Sequence, residues 1–297
     1  MHVHRFLASA WASVHGPSDP RRLLISTLEH RFAGLGVSPG PRAVDWAAVR
    51  AAAADLPVRF GAVHVSNPLA DRSATAPLAS SKDGERVAAL RAVRQAVAIA
   101  RVVGSPTVVL DPGVVPVLGE IECEDLGDPA YQWSKERVDA LLARRKSGRN
   151  GALDRVCREV FGIVKSFPDI EFCLSMSRSL RAVADLTSLQ DLYEDLSQLR
   201  LGYWHDAAVG ARRAQLGLEA QGEWLESFAS RCRGMSLGDG SHEGLYLPPG
   251  AGGVDYGLLA SYVPRSGPAL PVVVELDISI PPAELPGIRS CLDKYGL

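Results

Sequence analysis

The 297-residue sequence has no Cys-x-x-Cys pair, no apolar stretch of membrane-spanning length and no excess of positive charge. Each absence removes a class of function. Cys123, Cys157, Cys173, Cys232 and Cys291 are too scattered for a disulfide framework or a zinc knuckle, which points to a reducing, cytoplasmic setting. A membrane helix needs about 18 consecutive apolar residues, and residues 6–14, interrupted by Ser9 and Ser13, make a poor signal segment. A soluble chain without a membrane partner is expected. A net charge of -2 offers no broad surface for neutralising phosphates, which argues against nucleic acid. The one basic run, Arg144, Arg145, Lys146 and Arg149, is broken by Ser147 and Gly148 and reads as a solvated loop. Gly250-Ala251-Gly252-Gly253 lacks the Lys-Ser/Thr of a P-loop and reads as a turn. No internal repeat or low-complexity linker divides the chain.

What is present suits a large buried core: 46% of residues are hydrophobic and 22% charged, which leaves no reason to expect disorder. Short β-branched or apolar runs alternate with helical patterns from end to end, the signature of parallel strands joined by crossover helices. Strands are expected near residues 6–10, 32–37, 58–65, 107–110, 170–174, 201–205, 234–237 and 272–276. Between them, Val87, Leu90, Val93, Val97 and Ala100 recur at three and four residues, as do Leu186, Leu189, Leu192 and Leu196, so each helix has one apolar face. Eight such units describe an α/β fold, a single (β/α)8 TIM barrel. That fold typically occupies roughly 250 residues, so residues 1–297 are expected to form one domain. Residues 111–151, acidic and glycine-rich at first and then helical from about 135 to 145, follow a strand and are expected to lie over the barrel mouth as an insertion or lid.

Five motifs in order carry a resemblance. They are Gly61-Ala62-Val63-His64, Val108-Val109-Leu110-Asp111-Pro112-Gly113, Tyr203-Trp204-His205-Asp206, Met235-Ser236-Leu237 with the later Pro248-Pro249-Gly250 loop, and Val272-Val273-Val274-Glu275. In this order and spacing the sequence resembles the xylose-isomerase-like TIM-barrel superfamily, which holds sugar-phosphate isomerases, epimerases and endonuclease IV. The resemblance implies a divalent cation held at the barrel's C-terminal face by Glu, Asp, His and Glu from the fifth to eighth strands. Here those positions read Ser175, Asp206, Ser236 and Glu275, a further His position reads Val209, and an Asp-His pair reads Leu245-Tyr246. Neutral serine is a poor ligand for Mg²⁺, Mn²⁺ or Zn²⁺. The reading is therefore a degraded metal site with no firm cofactor, or a divalent metal (Mg, Mn or Zn) held weakly by Asp206 and Glu275.

The resemblance implies a sugar or sugar-phosphate isomerase or epimerase acting on a small polyhydroxylated carbonyl compound, a carbohydrate-like ligand. The alternative is a non-catalytic barrel that binds a metabolite or a protein partner. His64, Asp206 and Glu275 are the candidate acid-base groups. Glu275 ends an apolar strand, so its pKa should be raised, unless an Arg or His pairs with it there. Asp111, Arg178, Asp239 and His242 are candidate substrate contacts. Arg178 either clamps an anionic ligand group or neutralises Asp206 and Glu275. Strand alternation sends His205 away from Asp206, toward the helices. His2 and His4 form a His-x-His at the N-terminal end of the first strand, away from the catalytic face.

Overall fold

The computed structural model describes residues 3–66 and 77–297; His2 lies outside them. Eight strands close into a parallel barrel: β1 (Val3–Ala8), β2 (Gly34–Val37), β3 (Arg59–His64), β4 (Thr107–Leu110), β5 (Glu171–Ser175), β6 (Leu201–Asp206), β7 (Cys232–Leu237) and, after a small hairpin of β8 (Asp239–Ser241) and β9 (Gly244–Leu247), β10 (Leu270–Val274). The barrel closes where β1 pairs with β10 on one side and β2 on the other, Leu7 facing both Val274 and Leu35. The antiparallel hairpin β8–β9 is separate from the barrel. Among the described residues no helix is long and apolar enough to cross a membrane.

Alternation along the strands builds two apolar layers. Inward residues Phe6, Ala8, Ala62, Val109, Trp204 and Val273 fill the barrel. Outward residues such as Val63, Val108, Phe172 and Tyr203 meet the helices. Trp204 is wholly buried, and its bulk fits because the neighbouring strand carries Gly234, where a Cβ would lie 2.1 Å from the indole ring.

Two boundaries differ from expectation. The first strand begins at Val3 and ends at Ala8, and Ser9–His15 is already helical, packing Trp11 and Ala12 into the core. The helix expected to stop near residue 145 runs on to Ser166 as Lys135–Ser166. Its buried stripe, from Val138 and Leu141 to Ala152, Val156, Val160 and Ile163, continues without a break. The basic run is thus helical rather than a loop. Its Arg145 is 5% exposed and forms an ion pair with Asp185 at 2.6 Å.

Candidate functional site

All eight barrel strands point the same way, so their C-terminal ends meet in one mouth. There lies a cavity of about 240 Å³ whose walls include His64, Asp111, Ser175, Arg178, Asp206 and Tyr246. His64, Ser175 and Asp206 are the last residues of β3, β5 and β6, Asp111 follows β4, and Tyr246 comes from β9. Segment 111–134 borders the cavity and is stitched to the loop after β5. Isolated bridges join Val114 to Ala182 and Asp125 to Ser179. Arg178 donates through Nε and Nη2 to the two oxygens of Asp125, both at 2.8 Å, and Arg181 pairs with Glu124 at 2.6 Å. Arg178 therefore meets a carboxylate of this segment, while its charge also acts on Asp206. Neither Arg181 nor the two acids stood out in the sequence, because nothing local signals a pairing across more than 50 residues.

Asp206 caps the helix Ala207–Gln215: Oδ1 accepts from the Val209 N–H at 3.1 Å and Oδ2 from the Tyr246 hydroxyl at 2.9 Å. Even so, burial raises its pKa to about 6, against the opposing pull of these hydrogen bonds and Arg178. Glu275 follows β10 directly. It is 0% exposed, neither oxygen has a hydrogen-bond partner among the described residues, and burial together with the Asp206 charge pushes its pKa up to about 8. It is a neighbour of Asp206 but not among the residues lining the cavity. His64, in contrast, is held neutral, its pKa lowered to about 4 by burial. Its ring meets Trp204 edge-on at 5.3 Å, and its Nε2 has no partner. Burial raises the Asp111 carboxyl, which accepts from the Gly113 N–H at 2.8 Å.

Asp239 and His242 lie elsewhere. Asp239 is 0% exposed and accepts from the backbone N–H groups of Gly240, Gly250 and Val254, each at 2.9 Å. It pins the glycine-rich loop, which wraps around it as a turn. His242 is exposed at the tip of the β8–β9 hairpin. His205 is buried on the helix side, where its Nδ1 and the Tyr203 hydroxyl are 2.9 Å apart. His4 lies in β1 near its start and meets Arg59. Tyr246 is a further cavity residue that sequence reasoning passed over. It is 1% exposed and holds a positive φ of 62°, uncommon outside glycine. Its one signal was its place in the Leu245-Tyr246 dipeptide.

The donors near Asp206 are already engaged with one another. Both Asp206 oxygens accept hydrogen bonds, the Ser236 hydroxyl accepts from Trp204 Nε1 at 3.0 Å, and Glu275 is sealed off. Among the described residues, no group of three or more His, Cys, Asp or Glu side chains is placed to hold a metal ion.

No protein-family profile matches the chain, and no curated protein matches it in sequence. Solved structures do match its fold over nearly its full length. They include a D-tagatose 3-epimerase-like protein, with TM-score 0.65, 16% identity and coverage of 99% of this chain and 97% of that one. An E. coli 3-keto-D-glucoside 4-epimerase in its apo form gives TM-score 0.66 at 11% identity, covering 99% of each chain. An IOLI protein with a bound zinc atom gives 0.62 at 11% identity, over 99% of this chain and 96% of its own. The chain therefore shares the (β/α)8 TIM-barrel fold of these proteins over nearly its whole length.

Proposed function

We propose that the protein is a sugar isomerase- or epimerase-like enzyme that moves a proton beside the carbonyl of a small polyhydroxylated compound. Acid and base are supplied by side chains rather than by the superfamily's full cation site. The observation that carries this reading is the single cavity lined by His64, Asp111 and Asp206, with its carboxyls raised and its imidazole neutral. A hydrated Mg²⁺ or Mn²⁺, or a Zn²⁺, fits the residues poorly. Ser175 and Ser236 offer neutral hydroxyls where carboxylate or imidazole is needed, and both Asp206 oxygens already accept hydrogen bonds.

Asp206 is the base in this reading. With its pKa near 6, it is mostly ionised at neutral pH yet holds a captured proton more firmly than an ordinary aspartate, which suits removal and return of a carbon-bound proton. His64, neutral and in its Nε2–H tautomer, donates to the carbonyl oxygen as enediolate charge develops. Asp111 and Arg178 orient hydroxyl groups. Glu275, outside the cavity, takes no step in this reading. The rim arginines Arg178 and Arg181 are matched by Asp125 and Glu124, which favours an uncharged sugar over a phosphate ester.

The test is deuterium wash-in, followed by NMR, with a panel of ketoses and aldoses and protein pretreated with a chelator. Exchange is expected at the carbon beside the carbonyl, and Asp206→Asn should slow it by roughly 10²–10⁴-fold. No exchange with any sugar would remove the enzymatic reading, and exchange that needs added Mn²⁺ would restore a cation to the mechanism.

A further inference from the structure

A second cavity, also about 240 Å³, opens at the same pole of the barrel, behind the ends of β2 and β3. His64 lines both cavities. The second exists for two sequence-level reasons. The pairing of β2 with β3 slips between Leu35 and Val37, a bulge that splays the strand ends. The helix Asp83–Val103 presents only the small Ala92 and Ala96 here, so this helix face leaves a gap. Its walls combine the apolar Val37, Val63, Val65, Ile99 and half-buried ring of Trp46 with the polar side chains of Gln95 and Arg42, the latter donating to the Ser13 carbonyl at 3.1 Å. At its edge Ser38 is 5% exposed, and its hydroxyl has no hydrogen-bond partner, although its backbone is tied to Ser9 at 2.9 and 3.1 Å. Exposed Pro39, Gly40, Arg42 and Gln95 border it, so it is open to an entering ligand group.

We infer that the site takes a two-part ligand: a sugar in the mouth, carrying an apolar or aromatic substituent that lodges in this second cavity. The substrate class is thus a sugar that keeps a free carbonyl and carries the apolar substituent at another position, rather than an unsubstituted monosaccharide. This rests on the reading of the mouth as a sugar site. Ala92, Ala96 and Ile99 supply aliphatic contact, Trp46 supplies a flat face for a ring, and Ser38 and Gln95 can meet one polar group on the substituent.

Calorimetric titration with phenyl and methyl ethers of the same hexoses, the carbonyl left free, tests this. Burial of the phenyl ring should tighten binding about tenfold or more over the methyl ether. Ala92→Phe fills the cavity from a half-buried helix position and should bring the phenyl ether down to the affinity of the methyl one. Trp46→Ala should also erode the difference. Equal affinities in the parent, or an advantage untouched in a folded Ala92→Phe variant, overturn the two-part ligand. If equal affinities accompany deuterium wash-in on free ketoses, this inference alone fails. If no sugar of either kind binds and no wash-in occurs, the reading of the mouth fails with it.

Discussion

The loop after β7 and the end of β10 each bury a carboxylate completely, and they do so in opposite ways. Asp239 and Glu275 are both 0% exposed. Asp239 is surrounded by three backbone N–H groups, whereas neither oxygen of Glu275 has a partner among the described residues. Loss of water is a cost shared by both, so the difference lies in what replaces the water. Around Asp239 backbone N–H groups take the place of water, and the side chain becomes the peg on which residues 240–254 are hung. At Glu275 nothing does, so the neutral form is favoured and its pKa rises to about 8. The same functional group, equally hidden, organises structure in one place and resists ionisation in the other.

The largest effect should come from breaking the first half of this contrast. Asp239→Ala strands the buried Gly240 N–H together with the partly buried N–H groups of Gly250 and Val254, and should cost roughly 3–5 kcal/mol in equilibrium urea unfolding. A loss below about 1 kcal/mol would mean that the loop relaxes to find other acceptors, and the peg would be no peg.

Breaking the second half should have the opposite sign at high pH. Because the folded pKa of Glu275 lies above its ordinary value of 4.5, its protonated form favours the folded state, and that contribution is complete below about pH 4.5 and lost as pH rises toward 8. Asp206 adds a loss of the same sign, but only up to about pH 6. His64 and His205, with folded pKa values below 6.5, add a gain in stability up to about pH 6.5, so it is the difference between the parent and a Glu275 variant that isolates Glu275. Glu275→Gln should match the parent near pH 4 and exceed it by roughly 2–4 kcal/mol at pH 8 in melts taken across that range. Curves that stay parallel at every pH would show that Glu275 does not carry the titration.

The barrel was legible in the sequence because its evidence is local: alternating strand patterns, apolar helix faces and turn residues repeat along the chain. The strand-end motifs also delivered His64, Asp111, Arg178 and Asp206 to one cavity. What was not legible depends on distant partners. Nothing near Glu275 says that it ends beneath the cavity rather than on its wall, and nothing near Asp239 says that its partners are amides from three separate points of a loop. The run through Gly148 and Gly151 looked like a helix end by propensity. Packing overrides it: a Cβ at Gly148 would lie 2.5 Å from the Pro116 carbonyl, so the glycine lets segment 111–134 approach a helix that simply continues.

Asp206 stands between the two extremes, and Tyr246 is what holds it there. It has one backbone N–H from Val209 and one phenol O–H, fewer donors than Asp239 and more than Glu275, and its pKa of about 6 is correspondingly raised, but less than that of Glu275. The phenol favours the ionised carboxylate, so Tyr246→Phe should move Asp206 further toward Glu275. Phenylalanine keeps the ring in its buried slot and the positive φ of 62°, so the backbone strain is common to both proteins and cancels. Only the hydrogen bond differs. Its removal, worth about 1 kcal/mol, should raise the acid limb of the pH profile for deuterium wash-in by up to about one unit and lower stability by a similar small amount. The base would then be less ionised at pH 6 than in the parent, and the rate deficit should shrink as pH rises to 8. A deficit that is the same at every pH would mean that Tyr246 contacts the sugar rather than tuning Asp206, and the ordering of the three carboxylates by their donors would lose its middle term.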